Sequence, residues 1–372
     1  MKNTIQKLYD LGQSIWIDDL SRRMIDDGGL SRLIALGVVG VTSNPTIFMK
    51  AITGGSDYDD KIQALLAQGK EGLSLYEGLV LPDIADAADL LRPVYARTRG
   101  VDGYVSLEVN PRLAYSTAST IEEARRLFAK LDRPNVFIKV PATIEGIPAI
   151  ETLIGQGVNV NITLIFSIDM YEKVMHAYLN GLRRFANTGG DVSRVASVAS
   201  FFVSRVDTLV DQLLEALMPS NPKARQLLGR AAVANARLAY SRFQQVFDPH
   251  GEFADLAAED ARVQRPLWAS TSTKNPNYSP TLYVDELVGP NTVNTLPPQT
   301  IDAVLASRSV EVTITQGLDD ARRVFDRLES FGVSMKEVTD RLTVDGVDQF
   351  ARSFDQLLAD LATKQEQLSA RR

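Results

Sequence analysis

The chain has no cysteine among its 372 residues. Disulfides, thiolate metal sites, iron–sulfur clusters and cysteine nucleophiles are therefore excluded. Histidine is nearly as scarce. His176 and His250 lie far apart in sequence, and each reads as a structural or surface residue rather than half of a metal site. No apolar run reaches membrane-spanning length, and the start, from Met1 to Lys7, has no signal-peptide core. Excess positive charge is missing too: the formal net charge is -6, which favours solubility and argues against nucleic acid as the main partner. An anionic substrate stays open, because a few local cations can serve a phosphate. No Pro/Gly/Ser-rich linker, charge block or low-complexity segment divides the chain. The expectation is one soluble, cytoplasmic domain over residues 1–372, with its oligomeric state, homo-oligomer included, left open.

What is present is an alternation of short apolar runs with amphipathic stretches. The candidate strands are Ile15–Ile17, Val38–Val41, Tyr104–Leu107, Val136–Ile138, Val158–Ile162, Val195–Ala199, Pro266–Trp268 and Thr292–Thr295. Val206, Leu209, Val210, Leu213, Leu214 and Leu217 form a helical stripe, with Asp207, Asp211 and Glu215 expected on the solvated side. Thr120-Ile121-Glu122-Glu123 and Ser334-Met335-Lys336-Glu337 read as capping boxes. Eight strands alternating with helices predict an α/β fold, a single (β/α)8 TIM barrel with its core at about 14–300. The long spacings Pro45–Arg99 and Asp207–Arg265 predict extra helices, and residues 300–372 a helical C-terminal extension. In that extension Val347, Phe350, Phe354, Leu357, Leu358 and Leu361 make an apolar stripe, while the polar tail from Thr363 to Arg372 should fray.

The chemistry gathers at strand ends. Lys139 ends the apolar run Val136-Phe137-Ile138, and Pro141 stops the ladder soon after. An ammonium held against apolar walls is destabilised relative to the neutral amine, which attacks carbonyl carbon and forms Schiff bases. The other runs deliver Asp18 and Asp19; Thr42, Ser43 and Asn44; Glu108; Asn161 and Thr163; Ser200 with Arg205 beyond; and Ser270 and Ser272. In a (β/α)8 barrel these ends converge on one mouth, where active sites of the fold lie. A lysine, carboxylates, amides and an arginine suit aldol chemistry through an imine, which needs no metal or other cofactor. Taken singly, each has an ordinary alternative. Lys139 could snorkel, Asn44 could be a turn residue, Asp18 or Asp19 an N-cap, and Arg205 a surface arginine.

Four segments together resemble the transaldolase family. They are Val136-Phe137-Ile138-Lys139-Val140-Pro141-Ala142-Thr143, Val41-Thr42-Ser43-Asn44-Pro45-Thr46, Val160-Asn161-Ile162-Thr163-Leu164-Ile165-Phe166-Ser167 and Ser200-Phe201-Phe202-Val203-Ser204-Arg205. The likeness runs in order over roughly residues 10–300. It implies Lys139 as the imine-forming nucleophile and Asp18 as the acid/base beside the broken bond. Glu108 with Thr163 would hold the water of imine chemistry. Asn44, Asn161 and Ser200 would grip a dihydroxyacetone unit, and Arg205 the substrate phosphate. Phe202 with Glu108 resembles the transferase combination, where aldolase relatives pair a tyrosine and a glutamine.

One departure stands out. Many members carry an arginine just after the seventh strand, two positions past a serine; here Ser272 follows Ser270, and Lys274 is the nearest cation. The implied partners are sugar phosphates of the pentose phosphate pathway, such as sedoheptulose 7-phosphate or fructose 6-phosphate as donor. An aldolase releasing free dihydroxyacetone, and a sugar-phosphate-binding barrel without catalysis, remain as alternatives.

Overall fold

A computed structural model describes residues 2–307 and 310–370. Met1 and Arg371–Arg372, at the ends of the start and the polar tail read above, lie outside the described residues. Eight parallel strands close into a barrel in sequence order: β1 Gln13–Ile17, β2 Gly40–Val41, β3 Tyr104–Glu108, β4 Val136–Pro141, β5 Val160–Ile165, β6 Ser197–Phe202, β7 Arg265–Ala269 and β8 Thr292–Leu296. All eight expected strands are present, the second shorter than read and the fifth and sixth displaced toward their C-terminal ends. This is the (β/α)8 TIM barrel, with extra helices at Pro45–Thr53, Asp59–Leu66 and Gly72–Arg97 in the first long spacing.

Packing inside the barrel fixes which strand end is free for chemistry. Trp16, Tyr104 and Phe137 stack across the interior, with Phe137 at 6.1 Å from Trp16 and 4.2 Å from Tyr104 between ring centroids. Gly40 faces that stack; a Cβ there would meet the Trp16 ring at 2.5 Å, so only glycine admits the indole. Nearby, Arg265 pairs with the fully buried Asp102 at 2.9 Å, and Asp102 also accepts from Ser14 and Trp16. Apolar and paired groups thus fill this part of the interior, and a cavity opens at the C-terminal strand ends.

On β5 the ladder gains one residue: Ile162 pairs with Ala199, but Ile165 pairs with Phe201. Leu164, inside this bulge, has φ 61° and is buried. A buried leucine in the left-handed region is strained, and bulges of this kind are common beside active sites.

Past the barrel, helices Pro298–Ala306, Leu318–Ser330 and Met335–Ser369 follow. The last is 35 residues long and packs against Pro45–Thr53, Gly72–Arg97, Ser204–Leu217 and β5. Polar contacts tie it down: Thr46 Oγ1 to Ser353 Oγ at 3.0 Å, Arg112 to Asp355 at 2.6 Å, and Lys364 to Asp59 at 2.7 Å. No helix among the described residues is long and apolar enough to cross a membrane.

Three local expectations fail. The helix expected to open at Thr120 begins at Thr117, capped by Ser116, and Thr120 sits inside it with its hydroxyl donating to Leu113 O. Asp207 and Asp211 are buried rather than solvated, and only Glu215 of that set is exposed. Asp207 accepts from Ala232 N–H and Tyr283 OH, Asp211 from Gly229 N–H and Tyr278 OH, all donors from later chain segments. The tail from Thr363 is helical to Ser369, because Lys364 reaches back to Ile52 O and Gly55 O.

Candidate active site

The C-terminal strand ends open on a cavity of about 310 Å³. Asp18, Asn44, Lys139, Ser200, Phe202 and Arg205 line it, and so do Ser270, Ser272 and Lys274. Glu108, Asn161 and Thr163 are buried and do not line it. Register explains part of this: Glu108 pairs with Lys139, and Lys139 pairs with Asn161, so three adjacent strands present these residues at one level.

Lys139 is 5% exposed. Its ammonium donates to Ser43 O at 3.3 Å and lies 3.7 Å from Glu108 Oε2, within ion-pair range but too long for a hydrogen bond. Burial pushes the Glu108 carboxyl up to about 7, against the opposing pull of Lys139. Glu108 Oε2 and Thr163 Oγ1 are both buried, and neither has a hydrogen-bond partner among the described residues.

Asp18 follows β1 and accepts from Thr42 Oγ1 at 2.8 Å; Thr42 is itself 2.6 Å from Thr295 Oγ1. Burial also raises the Asp18 carboxyl, opposed first by Lys139 and then by the Thr42 bond. Asp18 rather than Asp19 lines the cavity, as the alternation of faces along the strand requires, and the N-cap of the next helix is Ser21.

The amides and hydroxyls form a connected set. Ser200 Oγ donates to Asn161 Oδ1 at 2.7 Å, and Asn161 Nδ2 donates to Ser106 Oγ at 3.0 Å, so β3, β5 and β6 are joined through side chains. Asn44 caps helix Pro45–Thr53 by accepting from Ile47 N–H at 3.0 Å. Its Oδ1 accepts that bond, and its NH2 has no partner among the described residues. Asn44 is thus a helix N-cap rather than a turn residue, and a cavity residue as well.

At the other side Lys274 Nζ donates to Ser272 Oγ at 2.7 Å, so the serine in place of the expected arginine supports the lysine. Burial lowers the Lys274 ammonium, and the nearby Arg205 charge lowers it further. Arg205 makes no ion pair or hydrogen bond with another described residue. Its Cζ lies 5.3 Å from the Phe202 ring centroid and 5.9 Å from that of Phe350.

Several cavity residues were not singled out from the sequence. Lys50 and Ile47 line the wall on helix Pro45–Thr53, and their spacing of three after Asn44 is the signal that could have found them. Gln349 and Phe350 come from helix Met335–Ser369, and Phe350 also lies 5.7 Å from Lys139 Nζ. Phe350 belongs to a stripe that reads as ordinary core, and nothing in its spacing marks it out. Among the described residues no group of three or more His, Asp or Glu is arranged to hold a metal ion.

This arrangement offers an enclosed amine beside two carboxyls raised by burial, flanked by hydrogen-bonding groups and by cations at the rim. Such a set can carry an amine through carbonyl addition and proton transfer.

Comparison with known proteins points to one family. The family model described as transaldolase/fructose-6-phosphate aldolase matches residues 15–361. A protein of Saccharopolyspora erythraea named transaldolase is 48% identical over 368 residues, covering 98% of each chain. A transaldolase of Thermobifida fusca is 48% identical over 372 residues and 100% of both chains. One of Parafrankia sp. is 49% identical over 361 residues, 96% of this chain and 97% of its own. With the match running from β1 into the C-terminal helix, the chain belongs to the transaldolase/fructose-6-phosphate aldolase family.

Proposed function

We propose that this enzyme is a transaldolase. It moves a dihydroxyacetone unit from a ketose phosphate, such as sedoheptulose 7-phosphate or fructose 6-phosphate, to an aldose phosphate through an imine on Lys139. The observation that carries the reading is the buried Lys139 amine facing Glu108 at 3.7 Å while opening on the cavity that also holds Asp18. The names of the relatives support the same activity. The proposed setting is cytoplasmic, since charged sugar phosphates do not cross membranes unaided.

In the proposed sequence, the Lys139 ammonium first gives its proton to Glu108, and the freed amine adds to the ketose carbonyl carbon. Glu108, titrating near neutrality, passes a proton through a water held with Thr163, and the carbinolamine loses water to give a protonated imine. Asp18 takes the proton from the hydroxyl beside the bond to be broken. That C–C bond then breaks, its electron pair moves into the imine to form an enamine, and the aldose phosphate leaves. The acceptor aldehyde adds by the reverse steps, and water hydrolyses the new imine. Asn44, Asn161 and Ser200 hold the three-carbon unit, and Arg205 with Lys274 holds the phosphate.

The test is reductive trapping. Borohydride with fructose 6-phosphate should add a dihydroxyacetone-derived mass to the peptide carrying Lys139, and Lys139→Arg should abolish both adduct and turnover because guanidinium stays protonated. An adduct on Lys274, Lys50 or Lys130 would overturn the assignment.

A further inference from the structure

Phe350 lies outside every motif that marks the family resemblance, yet it forms part of the cavity wall. It is 5% exposed, and its ring lies 5.9 Å from Arg205 Cζ. Phe202 lies at 5.3 Å from the same Cζ, and Phe202 is braced in turn by Phe166 at 5.2 Å. The Arg205 guanidinium therefore rests on two ring faces. Among the described residues it has no carboxylate or hydrogen-bond partner, so its N–H donors are uncommitted. Ring faces attract a guanidinium without consuming those donors.

The backbone is arranged to bring Phe350 there. Gly346 lies one turn earlier on the same helix, and a Cβ built on it would meet Leu164 Cδ2 at 3.0 Å and an Arg205 Nη at 3.7 Å. The missing side chain lets helix Met335–Ser369 settle against β5 and Arg205. Residues at this spacing share a helix face, so the same approach delivers the Phe350 ring.

We infer that Phe350 is a positioning residue for the substrate phosphate: together with Phe202 it holds the Arg205 guanidinium with its donors turned to the cavity. The inference rests on the reading of Arg205 as a phosphate ligand. It assigns to the C-terminal helix a share in substrate selection.

The experiment compares the Michaelis constants for erythrose 4-phosphate and for unphosphorylated glyceraldehyde in the full-length enzyme. Phe350→Leu keeps apolar volume and removes the ring. It should raise KM for the phosphorylated acceptor roughly three- to tenfold and that for glyceraldehyde by less than about twofold. Phe350→Tyr, which keeps a ring face, should restore the wild-type ratio. In an Arg205→Ala background, adding Phe350→Leu should change the ratio no further. Phe350→Leu raising both constants equally, or adding its full effect to Arg205→Ala, overturns the inference alone. Arg205→Ala with an unchanged ratio overturns the phosphate reading itself, and the inference with it.

Discussion

Glu108 Oε2 lies 3.7 Å from Lys139 Nζ and accepts no hydrogen bond from any described residue. The carboxyl is raised to about 7 mainly by burial, with Lys139 as the largest opposing influence. It therefore exchanges its proton in the range where the enzyme is expected to work. The pH profile of kcat/KM should bend near pH 7, with Glu108 protonated below the bend and ionised above it. Glu108→Gln cannot titrate; it should lose the bend together with roughly 10²–10⁴-fold of the rate. A profile that keeps its bend in the variant would assign it to another group.

In the proposed mechanism Phe202 has no hydroxyl to protonate the enamine carbon that C–C cleavage would leave. Free dihydroxyacetone should therefore form slowly from fructose 6-phosphate alone, and transfer should be fast once erythrose 4-phosphate is added. Phe202→Tyr should raise the acceptor-independent release by supplying a proton donor. Wild-type protein that releases dihydroxyacetone as fast alone as it transfers it would be an aldolase.

In the proposed phosphate site Lys274 would take the place of the family's arginine only in part. It is a single ammonium steadied by Ser272 at 2.7 Å and lacks the guanidinium's paired donors. Lys274→Ala should raise KM for phosphorylated acceptors by about three- to tenfold, less than Arg205→Ala, whose charge-assisted contact corresponds to roughly ten- to a hundredfold. Equal effects of Lys274→Ala on phosphorylated and plain acceptors would remove it from the phosphate site.

Asp207 carries no proposed catalytic role, yet burial raises its carboxyl to about 7 in spite of the bonds from Ala232 N–H and Tyr283 OH. Unfolded, it titrates near 3.9. Below about pH 4 both states hold the proton and the group's contribution is fully present. Between about 4 and 7 the native state holds a proton that the unfolded chain has lost, so stability falls as pH rises and the loss is complete above about 7. Asp207→Asn should flatten this fall, on the order of 1–4 kcal/mol between pH 5 and 8. Urea midpoints of wild type and variant at the two pH values measure it. Parallel midpoints would show that Asp207 does not titrate there.

The barrel was readable because its strands are short apolar runs bounded by polar residues and turns, a signal carried within a few neighbouring positions. Lys139, Asp18 and Asn44 were readable for the same reason, since each directly follows or ends such a run. Asp207 and Asp211 were misread because a helical stripe assigns every polar residue off the stripe to water. Their donors arrive from segments 18 to 76 positions away, as Gly229 and Tyr283 do. The tail was misread because Lys364 finds its carbonyl partners some 310 residues back, at Ile52 and Gly55. Phe350 looked like core, and it is buried. Its place over the mouth depends on where the whole helix comes to rest, which its local pattern does not encode.

The cavity wall is also completed late along the chain. All eight strands are in place by Leu296, whereas Phe350 belongs to a helix that starts at Met335. A chain emerging from the ribosome, N-terminus first, presents every barrel strand, with Lys139 and Glu108, before the last wall of the cavity is made. Synthesis thus separates the making of Lys139 from its enclosure, and a chain ending short of residue 349 lacks the part of the cavity wall that Gln349 and Phe350 supply.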